Sequence, residues 1–108
     1  MRIIIAGSGD VGFHLAKLLS YEKHEIVVID MDEDKLKHLS DNLDVGTIKG
    51  NSTSYKTLED AGVDLADLFI AVTSFEDTNI TTAIFAKHLR NAHVLSFAKA
   101  KDNFVLFF

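Results

Sequence analysis

The feature that most limits the fold is a short run, Arg2-Ile3-Ile4-Ile5-Ala6, followed at once by Gly7, Gly9 and Gly12 in the spacing Gly-x-Gly-x-x-Gly. A β-branched run without polar alternation reads as a strand covered on both faces. Immediately beyond it, Val11, Leu15, Leu18 and Leu19 recur at i, i+4, i+7 and i+8, the stripe of an amphipathic helix. Strand, glycine turn and helix in that order are the opening of a nucleotide-binding βαβ unit.

The same alternation continues along the chain. Further strands are expected at Ile26–Ile29, near Val45–Ile48, at Leu68–Val72 and around Val94–Phe97. Helical stripes fall between them: Leu36, Leu39 and Leu43, then a shorter helix over Thr57–Ala61, then Ile80, Ala83 and Ile84. Asp32, Glu33 and Asp34 crowd the first turn of the second helix, where the macrodipole favours negative charge. Ser74 with Asp77 resembles a capping box for the last helix. Five such alternations predict an α/β fold, a Rossmann-like doubly wound parallel sheet of strand order 3-2-1-4-5, incomplete at its C-terminus. The closing stretch "DNFVLFF" suits a sixth strand or the first turn of a helix capped by Asp102 or Asn103, and the helix is the preferred expectation.

Composition narrows the functional classes. A length of 108 residues with 47% hydrophobic content allows one domain with a real core, residues 1–108, expected to be a fragment of a longer protein. A formal charge of −5 supplies no basic stripe for nucleic acid. The absence of cysteine removes disulfides and thiolate metal sites. No apolar run approaches the roughly 20 residues needed to cross a bilayer, so no direct membrane insertion and a cytoplasmic location are expected.

Each glycine has a mechanical reading. Gly7 permits a tight exit from the strand, Gly9 leaves room for a pyrophosphate, and Gly12 lets the helix pack close to the sheet. The first-turn N–H groups of that helix then face the phosphates. Asp30 ends the second strand, 18 residues beyond Gly12, close to the spacing of about 20 for a carboxylate that accepts ribose hydroxyls. Such a group repels a 2′-phosphate, which favours NAD(H) or an adenine nucleotide over NADP(H); Lys35 could soften the repulsion or point to solvent. Two more polar loops, Gly50-Asn51-Ser52-Thr53 and Val72-Thr73-Ser74, should gather on the same sheet edge and suit the adenine edge and the far ribose.

Catalytic chemistry is poorly supplied. His14, His24, His38, His88 and His93 show no H-x-x-x-H or H-E-x-x-H spacing. Tyr21 and Tyr55 are followed four residues on by Glu25 and Glu59, so neither forms a Tyr-x-x-x-Lys pair. No serine lies in a G-x-S-x-G elbow.

The stretches "IIIAGSGDVGFHLAKLL", "VVIDMDEDKL" and "GNSTSYKTLEDAGVDLADLFIAVTSFEDTN" resemble the N-terminal nucleotide-binding (RCK or KTN) domain of Trk-type potassium uptake regulators. The resemblance runs from Met1 to about Asn79 and more loosely onward. It implies a non-enzymatic cytoplasmic subunit that binds NAD(H), or ATP, ADP or AMP, and controls a membrane-embedded potassium channel or transporter through a homodimer or larger ring. On that pattern Gly7, Ser8, Gly9, Asp10, Val11 and Gly12 hold phosphates. Asp30 and the adjoining Met31 take the adenosine, Asn51 and Ser52 flank the adenine, and Thr73 and Ser74 line the remainder. The helix after Asn79 contributes to the subunit interface. Three positions depart from the family: Asn51 stands where Asp is usual, and Phe13 stands where some members carry a phosphate-binding Arg. Lys99 or Phe97 stands where an Arg near the end of the fifth strand is common.

Two other readings stand beside this one. The chain would suit the cofactor-binding domain of an NAD-dependent oxidoreductase with its catalytic part elsewhere, or an assembly platform with a vestigial site.

Overall fold

The computed structural model describes residues 1–89, 93–100 and 103–107, the last two ranges through their strand pairing. In chain order the elements are β1 (Arg2–Ala6), α1 (Asp10–Tyr21), β2 (Glu25–Asp30), α2 (Glu33–Asn42), β3 (Gly46–Lys49) and α3 (Tyr55–Ala61). A 3-10 turn (Val63–Leu65), β4 (Leu68–Ala71), α4 (Glu76–Leu89), β5 (His93–Ala100) and β6 (Asn103–Phe107) follow. The sheet order is β3-β2-β1-β4-β5-β6, the first five strands parallel as expected, with β1 central.

The sixth strand corrects one expectation. Asn103–Phe107 does not open a helix; it pairs antiparallel with β5, Ala100 opposite Asn103. Asp102, a candidate cap for that helix, lies outside the described residues. The outer edge of β5 offers a ready row of N–H and C=O groups to an adjoining apolar segment.

Alternate residues of the central strands feed two separate cores, which is why their sequences are apolar throughout. Ile4, Ala6, Ile29, Phe69 and Ala71 pack with Leu58, Ala61, Val63 and Ala86 of the α3–α4 layer. Ile3, Ile5, Ile26, Val28, Ile70 and Val72 pack with Ala16, Leu36 and Leu39 of the α1–α2 layer. Ile3, Ile4, Ile5 and Leu39 are wholly buried, each contributing roughly 2 kcal/mol of hydrophobic stabilisation.

Local sequence sets one helix start and not another. Asp32 caps α2, its carboxylate accepting from the N–H groups of Asp34 at 3.0 Å and Lys35 at 3.3 Å, an arrangement worth about 1 kcal/mol. The Ser74–Asp77 box does not place α4, because the helix begins at Glu76; the Asp77 side chain lies outside the described residues.

Three loops leave the carboxyl ends of neighbouring strands in register. The Gly7 N–H donates to Ile29 O at 2.8 Å, Gly50 N–H to Asp30 O at 3.0 Å, and Val72 N–H to Ala6 O at 2.8 Å. Sheet hydrogen bonding thus runs one residue past the strands and sets the β1–α1, β3–α3 and β4–α4 loops side by side.

Candidate nucleotide-binding cleft

Together with the end of β2, the three loops border a cleft of ≈ 330 Å³ at the strand ends. Gly7, Ser8 and Gly9 line it from the β1–α1 loop, and Asp30 and Met31 from the end of β2. Asn51 and Ser52 stand behind, with Thr73 and Ser74 opposite. Nine of the sequence-selected residues therefore meet in one place. Asp10 lines a shallower hollow that continues past Gly9 between α1 and α2, beside Phe13, His14, Lys35 and His38. Val11 and Gly12 lie in the first turn of α1 and line neither space. The side chain of Lys99 lies outside those described.

The glycines differ in what holds them. Gly7 has φ +114°, and a Cβ there would sit 2.8 Å from the backbone of Val72 and Thr73, so conformation and space both exclude a side chain. A Cβ on Gly12 would collide with the Gly7 carbonyl. Gly9 is unlike both: its φ is −69°, and a Cβ would meet nothing within 4 Å. No neighbour in the protein requires a glycine at that point. The space above it opens into the cleft at the N-terminus of α1, where no side chain caps the helix, and an anion placed there would meet unpaired N–H groups and the positive dipole end.

Asp30 is a half-buried carboxylate with a defined orientation. Its Oδ2 accepts from Ser8 N–H at 2.8 Å and Ser8 Oγ–H at 2.7 Å, while Oδ1 accepts from Asp32 N–H at 2.8 Å. Burial alone pushes its pKa up, but the Asp32 and Ser8 hydrogen bonds and the nearby Lys35 charge outweigh this and hold the carboxyl below 3.8. At neutral pH the group is an anion that accepts only.

Around it the remaining walls are polar but largely committed. Asn51 Oδ1 accepts from Thr53 N–H at 2.9 Å and Thr53 Oγ1 at 2.6 Å, an Asx turn that shapes the loop. Ser52 is buried, its hydroxyl 3.0 Å from Thr82 Oγ1 on α4. Thr73 is clasped by Asn79: its N–H and hydroxyl donate to Asn79 Oδ1 at 2.7 and 2.6 Å, and Asn79 Nδ2 donates to Thr73 O at 3.0 Å. By contrast, Met31 and Phe75 remain 66% and 70% exposed at the mouth, leaving apolar surface for a flat ring.

Several residues to which the sequence assigns no ligand contact also contribute. Phe75, Thr78 and Lys35 line the cleft; the only signal for Phe75 was an aromatic beside a polar turn. Asn79, 2% exposed, shapes the β4–α4 loop, and a short amide side chain near a helix start was its only trace. Among the histidines, His14 is exposed, and His38 stacks on Phe13 with ring centroids 5.1 Å apart. His24 lies 3.2 Å from the terminal amine; the side chains of His88 and His93 lie outside those described. Among the described residues no group of three or more His, Asp or Glu could hold a metal ion. No helix among them is long and apolar enough to cross a membrane.

Comparison with known proteins follows the same lines. Residues 3–105 match the model of the TrkA-N domain. The chain is 41% identical over 95 residues, 88% of its length, to a Trk system potassium uptake protein TrkA homolog of Archaeoglobus fulgidus. It is 35% identical over 102 residues, 94% of its length, to one of Pyrococcus abyssi. It spans 21% and 44% of those two relatives. Among solved structures it resembles the GsuK channel bound to NAD (TM-score 0.76, 22% identity, 86% of this chain and 17% of that one). It also resembles the Kef CTD of Shewanella denitrificans in AMP-bound form (TM-score 0.74, 23% identity, 87% and 57%). At these identities the structural likeness speaks to the fold alone, whereas the family match and the sequence relatives go further: the chain belongs to the TrkA-N domain family.

Proposed function

We propose that this domain senses a nucleotide, binding NAD(H) or an adenine nucleotide (AMP, ADP or ATP) in the strand-end cleft and controlling a membrane potassium transporter or channel. The observation that carries the proposal is the pairing of Gly9, with open space where a side chain would sit, and Asp30, an oriented anion in the same cleft. The first suits a phosphate and the second a ribose diol. The names of the sequence relatives support the potassium link, and the NAD- and AMP-bound neighbours support the ligand class.

In this reading Gly7, Ser8, Gly9 and the first turn of α1, including Asp10, Val11 and Gly12, receive the phosphates. Asp30 takes the adenosine ribose, and Met31 with the Asn51–Ser52 loop borders the adenine. Thr73, Ser74 and Phe75 receive what lies beyond the phosphates. The site binds and positions, and no residue is assigned a catalytic role.

A sensor needs a part whose equilibrium the ligand biases. Helix α4 is tied to the cleft at two points, Thr73 to Asn79 and Ser52 to Thr82, and its outer face carries exposed Ile80 and Ile84. Ligand contacts at either loop act on the helix through these ties. That helix packs against a second copy, and the domain works as one module of a longer cytoplasmic protein that meets its transporter at the inner face of the membrane.

Calorimetric titration with NAD+, NADH, AMP, ADP, ATP and NADP+ tests the ligand class. Binding of at least one ligand lacking the 2′-phosphate, more tightly than NADP+, is expected; a protein that binds none of them sinks the proposal. Hydrogen exchange across α4 with and without the bound ligand tests the coupling, and unchanged protection there overturns it.

A further inference from the structure

Ser8 fills the variable position between the first two glycines, and its side chain makes a contact that holding a phosphate does not require. Its hydroxyl donates to Asp30 Oδ2 at 2.7 Å, beside its own N–H at 2.8 Å on the same oxygen. Oδ1 receives Asp32 N–H at 2.8 Å. A carboxylate has about two acceptor sites per oxygen, so Oδ2 is full and Oδ1 keeps one place. A ribose diol brings two hydroxyls, which require two. Two of the three donors already on Asp30 are backbone N–H groups fixed by their loops. Only the Ser8 hydroxyl sits on a bond that can rotate away.

We infer that Ser8 is a specificity-determining residue of the cleft: its hydroxyl holds the carboxylate position that the second ribose hydroxyl needs. A ribonucleotide gains its full diol contact only by displacing Ser8, so the residue lowers the preference for ribose over a sugar without the diol. The inference rests on the nucleotide reading of the cleft and adds to it a determinant of sugar discrimination. A charge-assisted O–H···O⁻ bond is among the stronger hydrogen bonds. Exchanging one for another returns little, whereas occupying a position otherwise filled by water returns more.

The test is a ratio. Affinities for AMP and for 2′,3′-dideoxy-AMP are measured by calorimetry on the wild-type protein, Ser8→Ala and Ser8→Gly. Both variants should raise the ribo-to-dideoxy affinity ratio, roughly threefold to tenfold, mainly through tighter AMP binding. Because AMP and its dideoxy analogue are compared on the same variant, a general loss of fold or phosphate contact cancels from the ratio. A ratio that is unchanged or lower in both variants overturns the inference and makes Ser8 a brace that only orients Asp30. A wild-type protein that binds neither compound overturns this inference; the nucleotide reading falls with it only where NAD+, NADH, ADP and ATP fail to bind as well.

Discussion

The two ends of the sheet are built from similar parts and put them to opposite use. At the amino ends of the strands, Arg2 donates from Nη1 to Glu25 at 2.9 Å and from Nη2 to Ala61 O at 3.4 Å, and its N–H reaches Asp67 at 2.8 Å. Gly62, with φ +83°, leaves the space that this guanidinium fills, for a Cβ there would stand 2.5 Å from Nη2. At the carboxyl ends, Gly9 faces open space and Asp30 is oriented by its neighbours yet has no cation bonded to it in the described contacts. One end closes upon itself, and the other is shaped and left open. A chain that only needed to fold would gain nothing from the second arrangement.

Substitutions at the glycines break this contrast most sharply. Gly12→Ala should have the largest effect, since its Cβ meets the Gly7 carbonyl rather than a movable side chain. A loss of about 3 kcal/mol or more in urea-induced unfolding is expected, and a variant as stable as wild type would refute that packing. Gly9→Ala and Gly62→Ala then form a matched pair. At Gly9 the backbone suits alanine, so stability should hold or rise by about 0.5 kcal/mol, while nucleotide affinity falls about tenfold through lost phosphate approach. Gly62→Ala should do the reverse, costing about 1–2 kcal/mol through its left-handed φ and the displaced Arg2 with affinity unchanged. Equal effects of the two on binding would erase the distinction between the ends.

Asp30 gives a smaller, pH-dependent effect. Its carboxyl is held below 3.8 in the folded protein, so it favours folding at neutral pH, and that contribution is lost as the pH falls through its folded value. Asp30→Asn carries no such titration. The stability difference between wild type and Asp30→Asn should therefore be constant above about pH 5 and shrink in more acidic solution. Unfolding curves that remain parallel from pH 7 to pH 3 would contradict the hydrogen-bonded anion seen here.

How much of this was legible in the sequence follows from the range of the interactions. The strand positions, the glycine loop and the place of Asp30 at the end of β2 were readable because each rests on local periodicity or short spacing: Ile3-Ile4-Ile5, Gly7 to Gly12, and the end of one apolar run. The final strand was not. "NFVLF" suits a strand or a helix end by its own preferences, and the edge of β5 decides between them. Ser52 is expected to flank the adenine and lines the cleft, but its hydroxyl turns to Thr82, thirty residues away in sequence, and no local pattern encodes that pairing. Thr73 is legible as a polar residue at a strand end, but its clasp by Asn79 is not, because a polar loop residue does not announce which backbone it will hold. The sequence shows which residues are polar at the strand ends; tertiary packing decides which of them are already spent.

An ion pair stands at each end of the sheet, and the weakest predicted effect separates them. Arg2 is half-buried and is held 2.9 Å from the mostly exposed Glu25; Lys49 reaches Glu33 at 3.5 Å with both side chains mostly exposed. Exposed pairs gain little because water screens the attraction and both long side chains lose freedom. Lys49→Met should change stability by less than about 0.5 kcal/mol, an effect that disappears with added salt. Arg2→Met should cost about 1–2 kcal/mol, because the buried Ala61 O loses its donor, and salt should recover little of it. Denaturation of both variants at low and high ionic strength decides the matter. A Lys49 effect as large as that of Arg2 would mean that the cleft end is braced by its charges, so that a ligand arriving there would have to break structure rather than occupy a space already open.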